Sequence, residues 1–194
     1  MRVVITGHKG QLGRELLRVF GGHDILGVDV PEHDITSYPG VVDAIAAFHP
    51  DLVVHGAAYT DVDGCARDPQ LALRVNGLGT QNIALACLRS DCPLIYISTN
   101  EVFDGRAGRP YLETDVPNPI NAYGQSKLMG EVYVRSLLSR YYIVRLAWLF
   151  SPGGNNFPAK MLSLARERDE LAVVTDEVSS PTYAPDLADA VAAL

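Results

Sequence analysis

The chain has 194 residues, 47% of them hydrophobic, and a net charge of −7 at pH 7. That length and apolar content suffice for one sizeable domain with a buried core, and an acidic chain without a basic run argues against a nucleic-acid partner. No segment reaches the length of a membrane span, and the opening residues read as a strand and a glycine loop, not a leader. Cys65, Cys87 and Cys92 lack metal-ligand spacing, and the five histidines form no ligand motif, so a reduced cytoplasmic protein without a structural metal is expected.

A β-branched run at 2–6 predicts a buried parallel strand, followed by Gly7, Gly10 and Gly13 and a helix over 11–20. In a nucleotide-binding turn, Gly7 permits the tight turn, Gly10 lets backbone approach a pyrophosphate, and Gly13 packs helix on sheet. The phosphates then meet the positive helix N-terminus. The spacing Gly-x-x-Gly-x-x-Gly is weaker than Gly-x-Gly-x-x-Gly, but its strand-turn-helix setting is right.

A second strand near 25–29 ends at Asp29, which suits the adenosine ribose hydroxyls or, about as commonly, a capping role. Lys9 and Arg14 flank the turn and could reach an additional phosphate. Asp34 and Ile35 follow and could bracket an adenine. After a helix over 39–48, a strand at 52–55 ends in His55-Gly56-Ala57-Ala58-Tyr59-Thr60, small enough to pass close to a ribose and nicotinamide. A long helix over 70–89 leads to a strand at 93–98, where Ser98 and Thr99 are either a hydroxyl donor pair or a satisfied strand end.

Beyond a loop at 101–120, a helix over 122–139 carries Tyr123-x-x-x-Lys127. Residues i and i+4 share a helix face, and a nearby ammonium lowers a tyrosine pKa, which predicts a phenol able to exchange a proton near neutral pH. Alone the pair is common on solvated helices; the glycine turn in the same chain favours function. A strand at 142–146, a loop at 147–156, a helix over 156–167, a strand at 171–175 and a helix over 185–194 complete the chain. The alternation predicts an α/β, Rossmann-type, doubly wound parallel sheet with helices on both faces.

These motifs resemble the extended short-chain dehydrogenase/reductase superfamily. Ala57-Ala58-Tyr59-Thr60-Asp61-Val62-Asp63, Ser98-Thr99…Val102-Phe103-Asp104-Gly105, Arg145-Leu146-Ala147-Trp148-Leu149-Phe150, Gly154-Asn155-Asn156-Phe157 and Ser180-Pro181-Thr182-Tyr183 are similar to its dTDP-4-dehydrorhamnose reductase branch, in the same order along the chain. The resemblance implies reduction of the C4 keto group of a dTDP-linked sugar by NADPH or NADH. It implies Tyr123 as proton donor, Lys127 as the residue that lowers its pKa and holds the nicotinamide ribose, and Thr99 orienting the keto oxygen. Gly10, Gln11 and Leu12 would meet the pyrophosphate in the cofactor turn that Gly7 and Gly13 shape, Asp29, Asp34 and Ile35 the adenosine, and Ala57, Ala58, Tyr59 and Thr60 the nicotinamide side. Thr99, Asn100, Trp148 and Asn156 would face the sugar.

Asn100-Glu101 departs from the branch's Asp-Tyr, placing a carboxylate where an aromatic is usual. The branch also carries a further C-terminal portion, so this chain is expected to be a cofactor-binding domain over 1–194 in which 147–194 begin the substrate region. The apolar stripe of Leu187, Val191 and Leu194 is then expected to lie exposed. A homodimer is compatible with the chain. The rival readings are a non-catalytic NADP-binding regulatory subunit, like the β subunit of methionine adenosyltransferase, and a nucleotide-sugar epimerase that retains its cofactor.

Overall fold

Runs such as Val3-Val4-Ile5 and Val53-Val54 have no polar alternation because both faces of their strands are covered, and these residues are fully buried. In the computed structural model, which describes residues 1–154 and 156–194, five such strands form one parallel sheet. They are β1 (Arg2–Thr6), β2 (Asp24–Val28), β3 (Leu52–His55), β4 (Leu94–Thr99) and β5 (Tyr141–Leu146), in the order β2-β1-β3-β4-β5. A further parallel pair is made by β6 (Leu149–Phe150) and β7 (Thr182–Tyr183). The helices are α1 (Gln11–Val19), α2 (Tyr38–Phe48), α3 (Val62–Arg67), α4 (Pro69–Ala72), α5 (Gly79–Ser90), α6 (Ala122–Leu137), α7 (Phe157–Glu167) and α8 (Ala184–Ala192).

Two cores separate these layers. On one face Val4, Val28, Val53 and Tyr96 of the sheet pack with Val42 and Ile45 of α2, Ile83 of α5 and Val134 of α6. On the other Val3, Ile5, Val54 and Ile95 pack with Leu12 and Leu16 of α1 and Ala188 and Val191 of α8. The strand order reverses between β1 and β3, whose register sets Thr6 beside His55. In such a sheet the crevice for a ligand opens outside the strand carboxyl ends at that reversal. Among the described residues no helix is long and apolar enough to cross a membrane, and no cluster of three or more His, Cys, Asp or Glu is set to hold a metal.

Three expectations are corrected. Residues 171–175 form no strand: the segment has no neighbour to pair with, and Val174 stands 67% exposed. A β-branched composition alone does not make a strand, because strand propensity is largely packing against neighbours. The helix expected over 70–89 starts at Pro69, where the Asp68 carboxylate accepts from the Leu71 amide at 2.9 Å, and its middle, Leu73–Leu78, is wound as a π-helix. The stripe on α8 is not left open, since Val191 is only 2% exposed against the α1 layer, although Leu194 remains outside. Asn155 of the Gly-Asn-Asn-Phe motif lies outside the described residues.

Candidate active site

The glycine turn is closed by its own backbone. Gly7 has φ +70 and donates its amide to the Val28 carbonyl at 2.8 Å, and a Cβ there would come within 2.8 Å of the Ala57 backbone. A Cβ on Gly13 would lie 2.2 Å from the Gly7 carbonyl oxygen. Gly13 therefore seats α1 on the turn itself, where the sequence suggested the sheet. Gly10, the residue before α1, has no capping side chain, and a Cβ on it would meet only the Gly7 carbonyl, at 3.2 Å. The amides of the first turn, beginning at Gln11 and Leu12, have no intrahelical acceptors and form the positive end of the helix. Leu12 turns its side chain into the core, so it offers only backbone. The Gln11 side-chain oxygen Oε1 accepts from the Ser151 hydroxyl at 3.0 Å and from the Asn156 side-chain amide at 3.1 Å, tying the start of α1 to the loop after β6.

Asp29 faces this turn across the crevice. One carboxylate oxygen accepts from the Lys9 amide at 3.1 Å and the other from the Val30 amide at 2.9 Å. The Lys9 ammonium is engaged with Glu32 at 2.6 Å and the Val30 carbonyl at 2.8 Å, and Arg14 donates to the Lys9 carbonyl at 3.3 Å. Asp34 closes a local turn by accepting both the amide and the hydroxyl of Thr36 at 2.8 Å. The Ile35 side chain belongs to the hydrophobic core, 6% exposed, which corrects its expected role as an open wall beside adenine.

At the reversal, a chain of hydrogen bonds settles the tautomer of His55. The Thr80 hydroxyl donates to the Asn76 carbonyl at 2.6 Å, so it accepts from His55 Nε2–H at 3.0 Å. That leaves Nδ1 to accept from the Thr6 hydroxyl at 2.6 Å, while the Thr6 oxygen accepts from the Ala57 amide at 3.1 Å. Burial, with Lys127 nearby, pushes the imidazole pKa down to about 3, so His55 is neutral scaffolding. Its work is to fix where Ala57 and Ala58 begin.

Asn76 was not foreseen. From the π-wound segment its side chain accepts from the Tyr59 amide at 2.8 Å and donates to the Tyr59 carbonyl at 3.0 Å and the Ser126 hydroxyl at 2.9 Å. Ser126 in turn donates to the Tyr123 carbonyl at 2.7 Å. One amide thus locks the Tyr59 segment to the first turn of α6, while Thr60 stays exposed. The sequence hint was the Asn76-Gly77 pair inside the expected helix, and π-windings often mark functional sites.

The start of α6 is pressed onto the segment that follows Thr99. Asn121 caps the helix, accepting from the Gly124 amide at 2.7 Å and donating to the Glu101 carboxylate at 2.8 Å. A Cβ on Gly124 would lie 2.0 Å from the Glu101 carbonyl, so glycine alone permits this approach. Glu101, the departure noted above, therefore anchors α6. Thr99 is nearly buried, accepts from the Glu101 amide at 3.2 Å, and donates to Asn100 at 3.3 Å.

Burial raises the Tyr123 pKa to about 12, and the Thr99 hydroxyl acts against that rise. The expected lowering by Lys127 is corrected. Its ammonium points at the sheet, donating to the Ile97 carbonyl at 2.7 Å and lying 4.3 Å from the centre of the Tyr96 ring. Burial lowers the Lys127 pKa to about 7, with Glu131 opposing the fall.

Glu131, one further turn along α6, is the second unforeseen residue. It accepts from Ser98 at 2.7 Å and from Arg145 at 2.8 and 2.6 Å, with Arg135 at 3.4 Å. Burial works against its charge, but Arg145 and Ser98 outweigh it and its pKa falls below the ordinary 4.5. A lone arginine in the apolar β5 was the available signal. Beyond β5, Trp148 sits at φ +46 and 46% exposed. Asn156 caps α7 by accepting from the Ala159 amide at 3.1 Å.

The sheet order, the glycine turn at the strand reversal and the tyrosine-lysine helix beside it define a Rossmann-type α/β chain. A family model described as the RmlD substrate binding domain matches residues 1–194. The chain belongs to that family. It is 40% identical over 190 residues to the dTDP-4-dehydrorhamnose reductase of Aggregatibacter actinomycetemcomitans, covering 96% of this chain and 65% of that protein. The Streptomyces griseus dTDP-4-dehydrorhamnose reductase is 41% identical, with 100% of this chain and 64% of that protein covered. The crystal structure of dTDP-4-dehydrorhamnose reductase from Bacillus anthracis in complex with NADP superposes with a TM-score of 0.94 at 41% identity, over 98% of this chain and 69% of that one. The chain thus spans about two thirds of the length of the curated relatives it matches.

Proposed function

We propose that residues 1–194 are the cofactor-binding part of an NADPH- or NADH-dependent reductase acting on the C4 keto group of a dTDP-linked deoxysugar, with 147–194 beginning the substrate region. The observation that carries this is the close packing of Tyr123 and Thr99 at the carboxyl end of β4, with Lys127 one turn along α6. The side-chain-free Gly10 before α1, the unpaired amides of its first turn and the Asp29 carboxylate across the crevice suit a dinucleotide. When bound, the nicotinamide supplies a hydride to the keto carbon.

Tyr123 gives its phenolic proton to the oxygen of that carbon, and a pKa near 12 keeps the proton in place until it is needed. Thr99 donates a hydrogen bond to the same oxygen and so orients it. Lys127, one turn along α6, is the residue that would hold the nicotinamide ribose. Gly10, Gln11 and Leu12 line the pyrophosphate in the turn that Gly7 and Gly13 shape, Asp29 and Asp34 the adenosine, and Ala57, Ala58, Tyr59 and Thr60 the nicotinamide. Asn100, Trp148 and Asn156 face the sugar. The protein acts in the cytoplasm on a small-molecule substrate, and a homodimer is compatible with this reading.

The test is to follow NADPH and NADH oxidation by the full-length protein against a panel of 4-keto nucleotide sugars. Turnover with the dTDP-linked keto sugar that disappears in Tyr123→Phe is expected. Turnover of no member of the panel would refute the reading.

A further inference from the structure

Two of the three cysteines meet at the end of the sheet opposite the active site. Cys87 lies in the last turn of α5, Cys92 lies just before β4, and the Cys92 amide donates to the Cys87 carbonyl at 3.1 Å. The turn between them passes through Asp91 in the left-handed region, φ 48, which folds the chain back so that the two side chains share one buried cluster. Both line a small cavity of about 150 Å³, walled also by Leu88, Leu137, Leu138 and Arg140. Arg140 reaches over it to bond the Asp91 carboxylate at 2.7 Å and the Asp91 carbonyl. Cys65, the remaining thiol, is buried elsewhere, against the Tyr59 carbonyl at 3.7 Å.

The electrostatics of the pair are unequal. The neighbouring Cys87 thiol favours a thiolate on Cys92, burial opposes it, and the Arg140 guanidinium adds to it while the Asp91 carboxylate subtracts. Cys92 comes out below the ordinary thiol range and Cys87 well above it. Cys92 is the less deeply buried of the two and shares the cavity with Arg140, which places it to attack, while the fully buried Cys87 is placed to resolve, since thiolate character and access beside a cation set cysteine reactivity.

We propose that Cys87 and Cys92 are a reversible dithiol site, with Cys92 the attacking and Cys87 the resolving residue, oxidised by hydrogen peroxide admitted through the cavity under Arg140. The Cys92 thiolate attacks one peroxide oxygen, the O–O bond breaks, and the released hydroxide takes up the proton that Cys92 lost, leaving as water. Cys92 is then a sulfenic acid. The Cys87 sulfur displaces its hydroxyl, which departs with the Cys87 proton as a second water. Two thiols are oxidised to one disulfide and one peroxide is reduced to two waters. A dithiol reductant reverses the change. The bond would join the end of α5 to the start of β4, elements whose other ends carry Thr80 and Thr99.

The test treats the reduced full chain with hydrogen peroxide, unfolds it under alkylating conditions and maps the products by mass. A Cys87–Cys92 disulfide, lost again on treatment with dithiothreitol, is expected while Cys65 remains alkylated. Cys87→Ser should halt at a sulfenic acid on Cys92 that dimedone traps, and Cys92→Ser should give neither product. Arg140→Gln, which leaves both sulfurs in place, should slow disulfide formation severalfold. The wild-type measurement needs no variant to fold. If all three thiols stay alkylatable, if oxidation falls on Cys65, or if Arg140→Gln reacts at the wild-type rate, the proposal is wrong.

Discussion

Replacing Lys127 with methionine separates stability from function, and pH gives the measure. Lys127 is 2% exposed, and its pKa falls from 10.5 in the unfolded chain to about 7 in the fold because burial disfavours the ammonium. Between those values the unfolded chain holds a proton that the folded chain has released. Raising the pH through this window therefore stabilises the fold, by about 1.4 kcal/mol per pH unit for one proton. Methionine, of similar length, has no such proton. It leaves the Ile97 carbonyl without its donor, which costs about 1–3 kcal/mol. Near pH 7 the variant should thus match or exceed the wild type in stability, and by pH 9.5 the wild type should be the more stable. From pH 7.5 to 9.5 the difference in unfolding free energy should move by roughly 2–3 kcal/mol toward the wild type. Urea unfolding of both proteins across this range measures it, since the other titrating groups cancel. A difference that does not change with pH would refute the buried, neutralised lysine.

Tyr123→Phe should leave fold and cofactor binding nearly intact while lowering turnover by roughly 10²–10⁴-fold, the usual worth of a general acid; turnover near the wild-type rate would remove Tyr123 as the donor. Glu131→Ala leaves Arg145, only 14% exposed in its side chain, without a partner, and should cost about 3–5 kcal/mol in denaturant unfolding. Adding Arg145→Leu should recover part of that loss, whereas simple additivity would mean the pair is not coupled. Asp29→Ala frees the amides of Lys9 and Val30 and removes a negative charge from the ribose end, so the ratio of NADPH to NADH affinity, read by calorimetry, should rise. An unchanged ratio would place the 2′-hydroxyl elsewhere.

Much of this molecule is local in origin and was therefore readable from residue order. The apolar runs at 2–6 and 52–55, the glycines at 7, 10 and 13 and the four-residue spacing of Tyr123 and Lys127 depend on periodicity and backbone freedom, which neighbours in sequence decide. The composition of 171–175 was equally plain but misleading, because a strand needs a partner and none lies beside it. What tertiary structure alone decided is where each polar group spends its charge and hydrogen bonds. Residues far apart in the chain, such as Asn76 with Tyr59 and Ser126, or Glu131 with Ser98 and Arg145, meet only after the sheet has ordered its strands. The same burial reverses the simplest inference from spacing: Lys127 shares a helix face with Tyr123, yet packing against Tyr96 and the Ile97 carbonyl turns its ammonium inward. Spacing specifies a shared face, but solvation and competing partners determine what a side chain does there, and those exist only in the folded chain.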